Sequence, residues 1–243
     1  MAKNQLGKPR ACVLVALAAL AFASLACNDV AHSQEQVQRV PSPIVDESVA
    51  PNAGAEKLVL AGGCFWGIQG VYQHVRGVTR AVSGYAGGSA SSAHYVVVGS
   101  GVTGHAESVE ITYDPKEVTL GALLQIFFSV AHDPTQLNRQ GPDSGSQYRS
   151  AIFVADNAQT RIVDGYIAQL GAAHVYQRPI VTRLEPLHGF YAAEGYHQDY
   201  LTLNPTQPYI AYNDLPKVEN LKRLFPERYR QSPVLVTEGV AAR

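Results

Sequence analysis

Apolar and polar positions recur along this chain in short blocks whose periods change from one to the next. Lys57-Leu58-Val59-Leu60 is short and β-prone, and Ala61-Gly62-Gly63 turns the chain after it. Ile68, Val71, Tyr72 and Val75 then fall at i, i+3, i+4, i+7, which predicts a helix ended by Gly77. Val78 to Tyr85 reads as a strand closed by Gly87-Gly88, and the Gly, Ser and Ala-rich stretch from Ser89 to Gly104 reads mostly as loop. Val109, Ile111 and Tyr113 alternate along a strand from Glu107 to Tyr113. After the Asp114-Pro115 turn, Thr119 is the expected N-cap of an apolar helix running to about Ala131. Asp133 to Arg149 is a long polar loop, of the kind that often carries function in a compact domain.

Ala151 to Val154 reads as a further strand. Gln159 to His174 follows as a helix with Ile162, Tyr166, Ile167 and Leu170 on one stripe, and Ile180 to Leu184 reads as the last strand. The order predicts an α+β fold: a ferredoxin-like split β-α-β sandwich with helices on one face of a mainly antiparallel sheet. Beyond about Tyr200 the pattern weakens into an irregular C-terminal tail, with one short helix predicted over Pro216 to Phe225. No internal repeat is seen.

The N-terminus follows other rules. Lys3, Lys8 and Arg10 precede an uncharged run from Ala11 to Ala26, so residues 1–27 read as a secretory signal rather than as part of the fold. The run is short for a spanning helix, which needs roughly 18 residues. Ser24-Leu25-Ala26-Cys27 is similar to a bacterial lipobox, with Cys27 the lipidated residue. Cleavage after Ser33 is the competing reading. Residues 28–55 read as a polar linker containing Pro41, Pro43, Pro51 and Gly54, residues 56–205 as the main folded domain, and residues 206–243 as the tail, packed on the domain or extending from it. The expected location is exported, periplasmic or otherwise extracytoplasmic, with membrane attachment only through Cys27.

Composition narrows the function. The chain is 46% hydrophobic and 16% charged, a folded profile, and its net charge of -1 gives no bulk pull toward nucleic acid or an anionic membrane. Its three cysteines are Cys12, Cys27 and Cys64; the first leaves with the signal and the second is lost or lipidated. Cys64 is then the one free thiol of the mature chain, which excludes an internal disulfide and a cysteine-based zinc site.

Cys64 sits in Gly62-Gly63-Cys64-Phe65-Trp66-Gly67, at a strand-to-helix junction. The positive end of a helix there favours thiolate and is expected to lower the thiol pKa; a buried structural cysteine is the plainer alternative. Glu107, which follows Gly104-His105-Ala106 and opens a strand, is either a solvated strand end or a positioned acid. The loop from Asn138 to Asp143, continuing to Gln147-Tyr148-Arg149-Ser150, gathers acid, amide, guanidinium and phenol. His105, His132, His188 and His197 are scattered without metal-like spacing, so hydrogen-bonding or surface roles are expected and no metal.

Taken in series, GGCFWG, TGHAE, HDPTQLNRQGPDSGSQYRSAIF and GYHQDYL, from about Lys57 to Leu201, resemble peptide methionine sulfoxide reductase A, and the stretch from Pro216-Lys217 to Phe225-Pro226 is also familiar from that family. The resemblance implies a ferredoxin-like fold, with Cys64 as nucleophile and Phe65 and Trp66 as an aromatic wall for the substrate methyl group. It implies Tyr95, Glu107 and Tyr148 around the sulfoxide oxygen, with Asp143 as the acid of the same pocket. Glu107 would protonate the oxygen while the Cys64 thiolate attacks, leaving methionine and a sulfenic acid. The implied substrate is methionine-S-sulfoxide, free or in oxidised proteins.

Two departures stand out. Gln69 replaces a frequent glutamate, and no cysteine follows Cys64 to resolve the sulfenic acid. Recovery then needs an external thiol, either a small molecule or a thioredoxin-like protein, with no bound cofactor and a monomeric enzyme. Two rival classes stay open: a cysteine hydrolase or acyl transferase using His105 as base, and a non-catalytic peptide-binding module.

Overall fold

In the computed structural model, residues 1–2, 37–48 and 53–236 are described. The segment read as a signal therefore lies outside the described residues, apart from its first two. No helix among the described residues is long and apolar enough to cross a membrane.

The chain runs β1 (Glu56–Gly62), α1 (Phe65–Gln73), β2 (Val78–Ala86), α2 (Tyr95–Val98), β3 (Ala106–Tyr113) and α3 (Leu120–Ile126). It continues through two-residue strands β4 (Arg139–Gln140) and β5 (Asp143–Ser144) to β6 (Ser150–Val154), α4 (Asn157–Ala172), β7 (Arg183–Pro186), β8 (Phe190–Ala192), α5 (Tyr200–Leu203) and α6 (Leu215–Leu224). Six strands form one mixed sheet in the order β7-β6-β1-β3-β2-β8, so the fold is α+β. Every pairing is antiparallel except that of β6 with β7.

The period-2 pattern decides which side chains reach the helices. Val109, Ile111 and Tyr113 of β3 join Leu58 and Leu60 of β1 and Ile152 of β6 in the main core. Ile68, Val71 and Tyr72 of α1, Leu123 and Leu124 of α3, and Ile162, Tyr166 and Leu170 of α4 close over them. The alternate positions Val59, Ala61, Ala106 and Phe153 form a smaller cluster. Glu107 shares the parity of Val109 and is carried toward the helical side, where it meets the start of α1.

Thr119 caps α3 by accepting from the Ala122 N–H at 3.2 Å, as its position predicts. The apolar run beyond Ile126 continues to Ala131 as a π-turn. The last expected strand is displaced: β7 begins at Arg183, while Val181 donates its N–H to the Pro134 carbonyl at 2.8 Å. β8 pairs with the β2 end from Gly84 to Ala86, and no sequence pattern predicted it.

One expected boundary is corrected. Residues 37–48, read as part of a linker, are packed. Val40 is 2% exposed in the main core, and Gln125 donates to its carbonyl at 2.7 Å. Asp46 accepts from the Gly121 N–H at 2.8 Å and Glu47 from the Leu120 N–H at 2.7 Å. These carboxylates look like solvated linker charges but satisfy the free N–H groups at the start of α3. The short helix predicted over Pro216 to Phe225 is present in the tail as α6. A π-turn over Ile210–Asp214 leads into α6, which buries Val218 and Leu221 and places Phe225 in the core.

Candidate active site

Cys64 caps α1 and its residue is 8% exposed. Gly63 has φ +94°, a conformation open to glycine, and a β-carbon there would fall 2.5 Å from the Gln140 side chain. Gln140 is tied to both the N–H and the carbonyl of Asp133, so the long loop is pinned against the turn that presents the cysteine. At the loop's other end, Arg149 forms a paired contact with Glu185 at 2.9 and 3.0 Å and donates to the Gly104 carbonyl at 3.0 Å. Tyr148 and Asp143 are thereby carried on a loop held at both ends.

Glu107 is 4% exposed, and its Oε2 accepts from the Phe65 N–H at 3.1 Å. Burial pushes its carboxyl up to about 8; Asp143 and Asp214 add to the rise, and the Phe65 N–H opposes it. The expectation for Cys64 is overturned. The Trp66 N–H at the helix start does favour the anion, but burial, followed by the charges of Glu107 and Asp214, pushes the thiol well above its ordinary value. The resting site therefore holds two protonated groups. Burial outweighs one helix terminus because a charge out of water costs more than a single N–H returns.

Tyr95 and Tyr148 are half-buried and interact electrostatically with Glu107 and Cys64, and burial raises the pKa of both phenols, keeping them hydrogen-bond donors. Glu194 fixes Tyr95 by accepting its N–H at 3.0 Å, while the Tyr95 ring lies 4.3 Å from that of His197. Trp66 stacks on Tyr200 at 4.0 Å and donates its indole N–H to His197 Nδ1 at 3.3 Å. Phe65 is buried behind it, against Tyr85 and His197, so Trp66 is the accessible ring of the pair. The Tyr209 hydroxyl donates to Asp143 Oδ2. The structure thus gathers Cys64, Phe65, Trp66, Tyr95, Glu107, Asp143 and Tyr148. It adds Tyr200, Tyr209, Asp214 and Lys217, which sequence reasoning left unassigned, and His197, which was expected only in a hydrogen-bonding or surface role. Tyr200 and His197 lay within the GYHQDYL string; the other three fell in the presumed tail.

The histidine readings separate cleanly. His105 accepts from the Gly88 N–H and holds the Ser89 carbonyl at 2.9 Å, so both ring nitrogens serve the backbone and neither is a base for Cys64. His132, buried and bonded to Ser150 at 2.7 Å, is pushed down to about 3 by burial and is neutral.

A protonated acid, a thiol and two phenols around one pocket can move an oxygen from another sulfur onto Cys64 while supplying the proton that oxygen needs. The comparisons point the same way. Residues 56–229 match the family model described as peptide methionine sulfoxide reductase. The chain belongs to that family.

It is 64% identical over 192 residues to peptide methionine sulfoxide reductase MsrA 2 of Mesorhizobium japonicum, covering 79% of this chain and 97% of that one. It is 46% identical to the MsrA 2 of Synechocystis, over 79% of this chain and 90% of that one. Among solved structures, methionine sulfoxide reductase A of Corynebacterium diphtheriae superposes with a TM-score of 0.54 at 36% identity, covering 70% of this chain and 85% of that one. The chain is an oxidoreductase that reduces methionine sulfoxide.

Gln69, the departure noted above, is buried. Its amide donates to the Ala81 carbonyl at 3.1 Å and to Gln198 Oε1 at 2.9 Å, and its oxygen accepts from the Asp199 N–H at 2.9 Å. A carboxylate would face two acceptors with no proton to give. Gln69→Glu is expected to cost about 1–3 kcal/mol of stability at neutral pH, the penalty of a buried unpaired acceptor. A shift of the urea midpoint toward lower concentration measures it, with the loss shrinking as pH falls and the carboxyl protonates.

Proposed function

We propose that this chain reduces methionine-S-sulfoxide, free or in proteins, through a Cys64 sulfenic acid that an external thiol resolves. The observation that carries this reading is the buried Glu107 carboxyl, protonated at neutral pH and bonded to the Phe65 N–H next to Cys64. The Cys64 sulfur attacks the sulfoxide sulfur, and Glu107 lends a proton to the oxygen. Tyr95 and Tyr148 hydrogen-bond that oxygen, with Asp143 in the same pocket, and the Trp66 face with Phe65 behind it takes the methyl group. The oxygen leaves methionine for Cys64, whose thiol proton balances the transfer: thiol plus sulfoxide gives sulfenic acid plus thioether. A first external thiol then forms a mixed disulfide and water, and a second releases Cys64 as thiol. A small thiol or a thioredoxin-like protein fits this role; no bound cofactor takes part.

With Cys64 the sole free cysteine among the described residues, no partner within the domain is available for it. One turnover without reductant on racemic methionine sulfoxide is expected to consume the S epimer alone, up to one equivalent. It should leave Cys64 sixteen mass units heavier, and added thiol should convert that species to a mixed disulfide. Consumption of both epimers, or a product two mass units lighter with an internal disulfide, would overturn the scheme.

Three coarser readings accompany it. The β1-α1-β2-β3-α3-β6 unit, with sheet order β6-β1-β3-β2, supports a ferredoxin-like description. The basic start and apolar run within residues 1–27 support export, with Cys27 as the lipid-bearing candidate; the intact mass of the mature protein tests it. Cys64, Glu107 and the phenols complete the site within one chain, so a monomer suffices for the reaction.

A further inference from the structure

The C-terminal segment brings one ionisable pair to the site that the reaction scheme above does not use. Asp214 ends the π-turn and Lys217 lies in α6, with Asp214 Oδ1 3.0 Å from Lys217 Nζ. Asp214 is 0% exposed, and its second oxygen is buried without a hydrogen-bond partner. The pair rests on Gly67, where a β-carbon would fall 2.2 Å from Asp214 Oδ1 and 2.8 Å from Lys217 Nζ. Gly67 is the third residue of α1 and Cys64 is its cap, so the pair and the thiol share the first turn of one helix.

A carboxyl this deep is costly to bury, and one hydrogen-bonded cation only partly offsets the loss of water. Hydrophobic side chains could fill the same space with no such cost. Lys217 neutralises one oxygen and leaves the other bare. The ionisable groups around Cys64 are then Glu107 from β3, Tyr95 from α2, Asp143 and Tyr148 from the long loop, and Tyr209, Asp214 and Lys217 from the C-terminal segment. Carboxylates outnumber the single cation in this set, and the Asp214 carboxyl lies closer than the ammonium to the turn that bears the thiol.

We infer that Asp214 is a positioning residue that sets the charge of the site: its carboxylate keeps Cys64 a thiol and Glu107 a protonated acid until a sulfoxide enters. Asp214 is among the causes that raise both groups; burial raises its own carboxyl as well, and the Lys217 ammonium bonded to it opposes that rise. A thiolate is the form that attacks hydroperoxides and is oxidised by them, so a resting thiol protects a chain with no second cysteine in its domain. The inference rests on the assignment of Cys64 and Glu107 made above.

The test is Asp214→Asn in the full chain, with Cys64 alkylation by iodoacetamide followed against pH. The alkylation midpoint is expected to fall by about one pH unit, giving roughly tenfold faster labelling at neutral pH with an unchanged alkaline plateau. The alkaline limb of single-turnover reduction should fall with it. A merely structural role would raise the plateau by exposing Cys64 and leave the midpoint in place, and that result overturns the inference. Should the lone Lys217 prevent folding, the double variant Asp214→Asn with Lys217→Gln replaces the pair with neutral amides. It is expected to shift the midpoint the same way, because the nearer charge is the carboxylate; an unmoved midpoint there also overturns the inference. A moved midpoint with an unmoved reduction limb upholds the hold on the thiol and removes Glu107, not Asp214, from its assigned role.

Discussion

Cys64→Ser should leave a folded protein with no measurable reduction of methionine sulfoxide. A hydroxyl at this cap faces the same Trp66 N–H that favours the anion, and it adds no volume to a nearly closed site. Stability is expected to change by no more than about 1 kcal/mol. The chemistry changes far more, because oxygen at neutral pH is a weak nucleophile and cannot carry the transferred oxygen as a sulfenic acid does. The expected loss is on the order of a thousandfold or more, the scale of removing a covalent nucleophile. Matched thermal unfolding and single-turnover assays on the two proteins measure both halves. Turnover above a trace in a folded serine variant would mean that Cys64 is a buried structural thiol.

The parts of the molecule legible in the sequence are those whose cause is local. Val109, Ile111 and Tyr113 alternate because one face of β3 meets the helices, and Thr119 caps α3 from three residues away. What was missed depends on partners far along the chain. Asp46 and Glu47 cap α3 from more than seventy residues upstream, so their charge suggested a solvated linker. Phe190–Ala192 is a strand only because β2 offers an open edge. The core of the site was readable as a run of strings. Yet Tyr209 and Asp214 lie between the GYHQDYL string and the predicted helix, in a stretch with no clear period, and Lys217 sits inside that helix with no role assigned to it. The misread direction of the Cys64 pKa has the same origin. A helix start is visible in a sequence, whereas the depth of burial that outweighs it is set by tertiary packing.

Glu107→Gln separates proton delivery from shape at the same site. The amide oxygen can still accept the Phe65 N–H, so the start of α1 and the Cys64 cap should keep their geometry. What is lost is the proton, and the formation of sulfenic acid is expected to slow by on the order of a hundredfold or more. The wild-type single-turnover rate should be steady through neutral pH and fall above about 8, where Glu107 ionises. That limb should vanish from the residual activity of the variant. Stability should move the opposite way. The folded-state carboxyl, at about 8, holds its proton more tightly than the ordinary value of 4.5. Between those limits the unfolded chain has released the proton while the native state keeps it, so native stability falls as pH rises. Each pH unit across that window removes up to about 1.4 kcal/mol from wild type, and nothing through this group from the variant. Urea unfolding at mildly acidic and mildly alkaline pH should therefore show the variant gaining on wild type as pH increases. Equal single-turnover rates at every pH would strip Glu107 of the acid's role, and parallel stability profiles would mean that its carboxyl is not protonated in the folded enzyme.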